Sequence, residues 1–167
     1  MEKKKLKIYL DTSVISHLCA SDAPEKMTDT IKLWEDVVCG VYDILISDIT
    51  MAEISRCPEP KRSFMRSTLA NIKYEEVKHS IESENLSEKY LKEGGLPQKS
   101  KNDASHIAVA TVNSCNAIVS WNFKHMVNLR AITAVDAVNI KEGYWPLRIL
   151  SPSMLLKEEE ENEGAKD

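Results

Sequence analysis

Leu6-Lys7-Ile8-Tyr9-Leu10-Asp11-Thr12-Ser13 runs a short apolar segment straight into a carboxylate and two hydroxyls. An apolar run with such a polar stop reads as a buried strand, Leu6 to Leu10, and Thr12 and Ser13 then open a turn or helix. The same pattern recurs down the chain. Ile44-Leu45-Ile46 is a second apolar strand, followed by Ser47 and Asp48, either of which can cap the helix that carries Met51, Glu53 and Ile54. Lys73 to Val77 reads as a short strand, Ala117 to Ser120 as another that ends at Trp121 and Asn122, and Leu147 to Leu150 as the last. Helical stretches alternate with them. Ile31, Leu33, Trp34, Val37 and Val38 form a stripe stopped by Gly40, and Arg62 to Ile72, Ile81 to Leu91 and Leu129 to Val138 follow. Gly94, Gly95 and Pro97 mark a break, after which Asn102 or Asp103 caps a helix carrying Ile107, Val109, Ala110 and Val112. Strands alternating with helices predict an α/β fold with a central parallel sheet covered on both faces.

The chain of 167 residues fits one domain with a sizeable core. Its 43% hydrophobic and 29% charged residues place it among globular rather than disordered or membrane-embedded proteins. No apolar run is long enough to cross a bilayer, and the basic start precedes too brief an apolar stretch for a secretory signal. Cys19, Cys39, Cys57 and Cys115 form no Cys-x-x-Cys pair and read as free core thiols, so a cytoplasmic protein is expected. From Lys157 on, six acidic and two basic residues account for the whole formal charge of −4. The expected division is a domain over residues 1–156 and an acidic, disordered tail over 157–167. Basic residues cluster at Lys3, Lys4, Lys5 and Lys7, at Lys61, Arg62 and Arg66, and at Lys99 and Lys101. Such patches permit nucleic-acid binding without arguing for it.

Asp11, Glu53 and Asp103 each stand where an apolar run meets a polar turn or helix start, and Asn122 occupies the same kind of place. Each alone has a structural reading: a helix cap for Asp11 and Asp103, an exposed helix acid for Glu53, a turn residue for Asn122. In a parallel sheet, however, all four meet at one edge. Clustered carboxylate oxygens in an α/β crevice suit a hard divalent cation such as Mg²⁺ or Mn²⁺. Gathering them has a cost, because two charges about 4 Å apart repel by roughly 4 kcal/mol at an effective dielectric near 20. Thr12 is placed to orient Asp11 or a water. Lys124 and His125 follow the site closely enough to contact phosphate, whereas His106 is expected to face the helix packing.

The four blocks together resemble the PIN-domain family, the fold of VapC-like ribonucleases. The blocks are residues 8–14, 47–54 with Ser47, Thr50 and Glu53, 102–110 with Asp103 and His106-Ile107-Ala108, and 117–126. Gly143-Tyr144 and Ser151-Pro152 resemble its closing segments, so the likeness covers about residues 6–156. It implies a three-layer α/β/α sandwich with a central parallel sheet and Mg²⁺- or Mn²⁺-dependent RNA cleavage. It also implies homodimers and, for toxins, a small antitoxin partner. The family's metal ligands carry over onto Asp11, Glu53 and Asp103. Its fourth position is commonly Asp, and here it is Asn122, which puts a tightly held second ion in question.

Two rival readings stay open. Asp11-Thr12-Ser13 after a strand resembles the nucleophile loop of haloacid-dehalogenase-type phosphatases, but Ser13 stands where their second Asp belongs. A PIN scaffold that binds RNA or protein without cutting suits Asn122 and the near-neutral body. Zinc hydrolysis is not supported, since His17, His79, His106 and His125 lack ligand spacing.

Overall fold

A computed structural model describes residues 4–165. Lys3 of the first basic cluster and the last two residues of the acidic tail lie outside the described residues. In chain order the elements are β1 (Lys7–Leu10), α1 (Thr12–His17), α2 (Pro24–Val38), β2 (Asp43–Ser47), α3 (Asp48–Arg56) and α4 (Lys61–Ala70). There follow β3 (Glu75–Val77), α5 (Ile81–Lys92), α6 (Lys101–Val112), β4 (Ala117–Val119), α7 (Leu129–Glu142), β5 (Arg148–Leu150) and α8 (Pro152–Gly164). A single 3₁₀ turn, Gln98–Ser100, precedes α6.

The five strands form one sheet in the order β3-β2-β1-β4-β5, and every pairing is parallel. β1 is central because its residues are apolar on both sides: Ile8 pairs with Ile44 of β2 and with Ala117 of β4. Side chains alternate between faces along a strand. Tyr9, Leu45, Ile118 and Ile149 pack on one side with Leu86, Tyr90, Ile107 and Val135 of α5, α6 and α7. Ile8, Leu10, Ile44, Ile46 and Val119 pack on the other with Val14, Leu33, Met65 and Leu155 of α1, α2, α4 and α8. Two cores on one sheet make the three-layer α/β/α sandwich, and they explain why the strands read as unbroken apolar runs. Gly143 ends α7 in the left-handed region, at φ 79°, as a helix C-terminus favours. Among the described residues no helix is long and apolar enough to cross a membrane.

Three local expectations are corrected. The start of α6 is Lys101, after Ser100 closes the 3₁₀ turn, so Asn102 and Asp103 lie inside the first helical turn and neither is its cap. The acidic tail is helical as far as Gly164 instead of disordered. Ser151 accepts from the Met154 N–H and Pro152 sits at the first helical position, which nucleates α8, and buried Leu155 anchors it. The glutamates merely extend a helix already begun, and glutamate is a good helix former. Finally, of the four free cysteines only Cys115 is buried, while Cys19 and Cys39 are exposed.

Candidate active site

A sheet ordered β3-β2-β1-β4-β5 reverses its direction of winding between β1 and β4, and a crevice opens at the carboxyl ends of those two strands. Asp11 follows β1 there. Its backbone holds the N-cap position of α1, yet its side chain makes no capping bond. Instead Oδ2 accepts from Ser13 Oγ at 2.6 Å and from Ser120 Oγ, just past β4, at 2.8 Å. Ser13 Oγ also accepts from the Trp121 N–H, and Ser120 Oγ from the Asn122 N–H. These hydroxyls lock the two strand ends together and hold Asp11 at 5% exposure.

Glu53 enters from α3, whose start is fixed by Ser47 Oγ accepting from the Thr50 N–H. Its Oε1 accepts from Asn102 Nδ2 at 3.0 Å and is hydrogen-bonded to His106 Nε2. The other ring nitrogen, Nδ1, meets the Tyr9 hydroxyl at 2.5 Å, and that hydroxyl meets Ser47 Oγ at 2.5 Å. His106 Nε2 also lies 3.7 Å from Asp11 Oδ1. His106 is buried in the helix packing as expected, but its ring faces the carboxylates as well. The signal that finds it is spacing: Asp103 and His106 are three apart on α6 and so share a face.

Asp103, left free by the earlier start of α6, accepts from Asn122 Nδ2 at 3.0 Å through Oδ1. Asn122 Oδ1 in turn accepts from the His125 N–H. Asn122 therefore serves as a donor that fixes Asp103, a role an ionised aspartate cannot take. The His125 ring turns away to Ser100 Oγ at 3.2 Å, and Lys124 is exposed; neither touches the carboxylates.

The protonation pattern follows from these contacts. Burial pushes Glu53 up, but the hydrogen bond and charge of His106, with Asn102 and Thr12 beside it, hold it below the usual carboxylate range. Burial alone favours a neutral His106, yet the bond to Glu53 and the fields of Asp11, Glu53 and Asp103 prevail and raise it. Burial and then the negative charge of Asp11 raise Asp103, against His125, His106 and Asn122. All three acids thus act on one imidazole.

The donor set fits a hard cation chemically: three carboxylates, with the buried Thr12 hydroxyl beside Glu53. The carboxylates share a crevice without forming a coordination shell. Among the described residues no group of three or more His, Cys, Asp or Glu side chains is arranged to ligate an ion as it stands.

Acidic side chains at the switch point of a parallel α/β sheet stand where such folds bind their ligands. The PIN domain model matches residues 8–122, and the chain belongs to that family, whose members are nucleases that generally use divalent metal ions. The fold is similar to a chain of VapBC2 from Rickettsia felis, bound to a DNA fragment from its promoter. The two share 17% identity with a TM-score of 0.51, over 87% of this chain and 98% of that one. It is equally similar to a chain of the DNA-bound VapBC of Salmonella typhimurium, at 16% identity and TM-score 0.51, over 88% and 98%. No curated protein matches the chain.

Proposed function

We propose that this chain is an endoribonuclease that hydrolyses phosphodiester bonds in RNA, with Mg²⁺ or Mn²⁺ held by Asp11, Glu53 and Asp103. The observation that supports the reading is the gathering of those three carboxylates around the His106 imidazole, with Asp11 buried and bound by two hydroxyls from different strand ends. When bound, such an ion neutralises phosphate charge and lowers the pKa of a water. The chain's own residues supply the rest. Ser13 and Ser120 fix Oδ2 of Asp11, while Oδ1 lies 3.7 Å from His106 Nε2. Asn102 and His106 orient Glu53, and Asn122 orients Asp103.

The likeness to chains of two VapBC assemblies supports the toxin role in a toxin–antitoxin pair, with a small antitoxin as partner. A homodimer in the cytoplasm completes the proposal, with a nuclease domain ending near residue 156 and the acidic end of α8 as an appendage. A second reading, a PIN scaffold that binds RNA or protein without cleaving it, is favoured by Asn122 and by the lack of a ready-made coordination shell among the described residues. Single-turnover incubation of a mixed RNA pool with Mn²⁺ separates the two. Cleavage by the wild type that is lost in Asp11→Ala supports the enzyme. Intact RNA with retained binding supports the scaffold, and equal products from both proteins would remove the activity from this site.

A further inference from the structure

Beside the acidic crevice lies a hollow of opposite charge, about 210 Å³ in volume, with Lys99, Ser100, Lys124, His125, Asn128 and Arg130 in its wall. It is smaller than the roughly 300–1,000 Å³ of usual small-molecule sites. Lys99, Lys124 and Arg130 are exposed, and among the described residues none of them takes part in an ion pair. Lys89, Lys141 and Arg148, by contrast, each have a glutamate partner. Three cations without an ion-pair partner thus line one small hollow in a body that is near neutral apart from its acidic tail.

The local structure holds them there. Asn128 caps α7, accepting from the Ala131 N–H at 2.9 Å, while its amide donates to the carbonyls of Phe123 at 3.0 Å and Lys124 at 3.2 Å. One side chain thus ties the turn bearing Lys124 to the helix start bearing Arg130. α7 is 14 residues long, and the N–H groups of Leu129 and Arg130 at its start find no acceptor among the described residues. Ser100, 1% exposed, presents its hydroxyl to His125 across the hollow. A guanidinium, two ammonium groups, free helix N–H groups and a hydroxyl form a set suited to one phosphate.

The hollow is joined to Asp103 by two hydrogen bonds. The His125 N–H donates to Asn122 Oδ1 and Asn122 Nδ2 donates to Asp103 Oδ1, each at 3.0 Å. We propose that this hollow holds an internal backbone phosphate of the substrate strand, next to the one to be cleaved, and so anchors single-stranded RNA across the crevice. The inference rests on the ribonuclease reading, and Asn122 is the bracket between the two phosphate positions.

The test is fluorescence anisotropy with a short single-stranded RNA lacking terminal phosphates, in EDTA, over a salt series. The full-length proteins compared are the wild type, Lys99→Ala/Arg130→Ala, Lys124→Ala, and Lys61→Ala/Arg66→Ala as a control in a different basic cluster. Both hollow variants weaken binding, the double variant about tenfold, and flatten the slope of log K against log salt by about 0.7 for each phosphate no longer neutralised. The control binds as the wild type does. With Mn²⁺ the double variant raises KM far more than it lowers kcat. Equal affinity and slope in the wild type and the double variant would overturn the proposal. So would an equal weakening in the control, absence of wild-type binding, or binding that requires a terminal phosphate. Binding that depends on the hollow in a wild type that cuts no RNA would sink the ribonuclease reading, and with it the place of this phosphate beside a cleaved one, leaving only a strand-binding hollow.

Discussion

The His106 imidazole stands between Glu53 and Asp11: Nε2 is hydrogen-bonded to Glu53 and lies 3.7 Å from Oδ1 of Asp11. The ring is 1% exposed, and its far nitrogen is held by Tyr9, which is held in turn by Ser47. A cationic group at this place offsets the mutual repulsion of the acids. It also orients Glu53 from a rigid helix, so metal-ligand chemistry and folding stability meet in one side chain.

Replacing His106 by alanine therefore leaves a buried tyrosine hydroxyl and two carboxylates short of a partner. In EDTA the His106→Ala protein should be less stable by about 2–4 kcal/mol, as for removal of one member of a buried pair. Urea denaturation measures it. A change under about 0.5 kcal/mol, well below the range for a buried partner, would mean that the ring is not holding the acids together.

The same pair sets a pH dependence in the metal-free protein. His106 is raised above its ordinary 6.5, so its contribution is present in full below pH 6.5 and is lost as pH rises through the raised value. Glu53 is held below its ordinary 4.5, so its contribution is present above pH 4.5 and is lost as pH falls through the lowered value. The pair is expected to contribute most between those two ordinary values. His106→Gln should flatten the alkaline side of the profile, as read by thermal unfolding in EDTA at a series of pH values.

Divalent ions should relieve the crowding of the acids. At a hundredfold excess over its Kd, Mn²⁺ adds about 2.7 kcal/mol, which raises Tm by roughly 5–10 °C in a chain of this size. Asp11→Ala and Asp103→Asn should lose that rise. Asp103→Asn should also lower RNA cleavage by at least about a hundredfold while keeping the fold. Scanning calorimetry with and without Mn²⁺ checks the first part, and single-turnover kinetics the second.

Asn122→Asp replaces the donor to Asp103 Oδ1 with a fourth carboxylate. The metal-free variant should melt below the wild type, and its Mn²⁺-induced gain in Tm should exceed the wild type's. Isothermal titration should show tighter Mn²⁺ binding. Identical affinity in both proteins would place residue 122 outside the ion's reach.

What the sequence makes legible is whatever depends on local pattern. The run from Leu6 to Leu10 ends at Asp11 because a buried parallel strand is apolar on both faces, and Ser47 declares a helix start by its hydroxyl. The three acids can be assembled from the sequence because parallel strands bring all their carboxyl ends to one edge. The phase of α6 is not legible, since it depends on how the 3₁₀ turn at Gln98–Ser100 closes, and that turn decides whether Asp103 caps a helix or faces the crevice. The bond from His106 to Glu53 joins two helices far apart in sequence, and spacing alone shows only that His106 shares a face with Asp103. Lys124 follows Asn122 in sequence, but Arg130 joins it only through the clamp at Asn128. The helical tail is hidden by its acidic composition, whereas its anchor lies before it, in buried Pro152 and Leu155.

Anomalous diffraction from crystals soaked in Mn²⁺ gives the most direct test. The account predicts a peak in the crevice bounded by Asp11, Glu53 and Asp103, with oxygen ligands at Mn²⁺ distances and Glu53 drawn off His106. A saturated soak with no peak in that crevice, or with the ion bound elsewhere on the molecule, would contradict it.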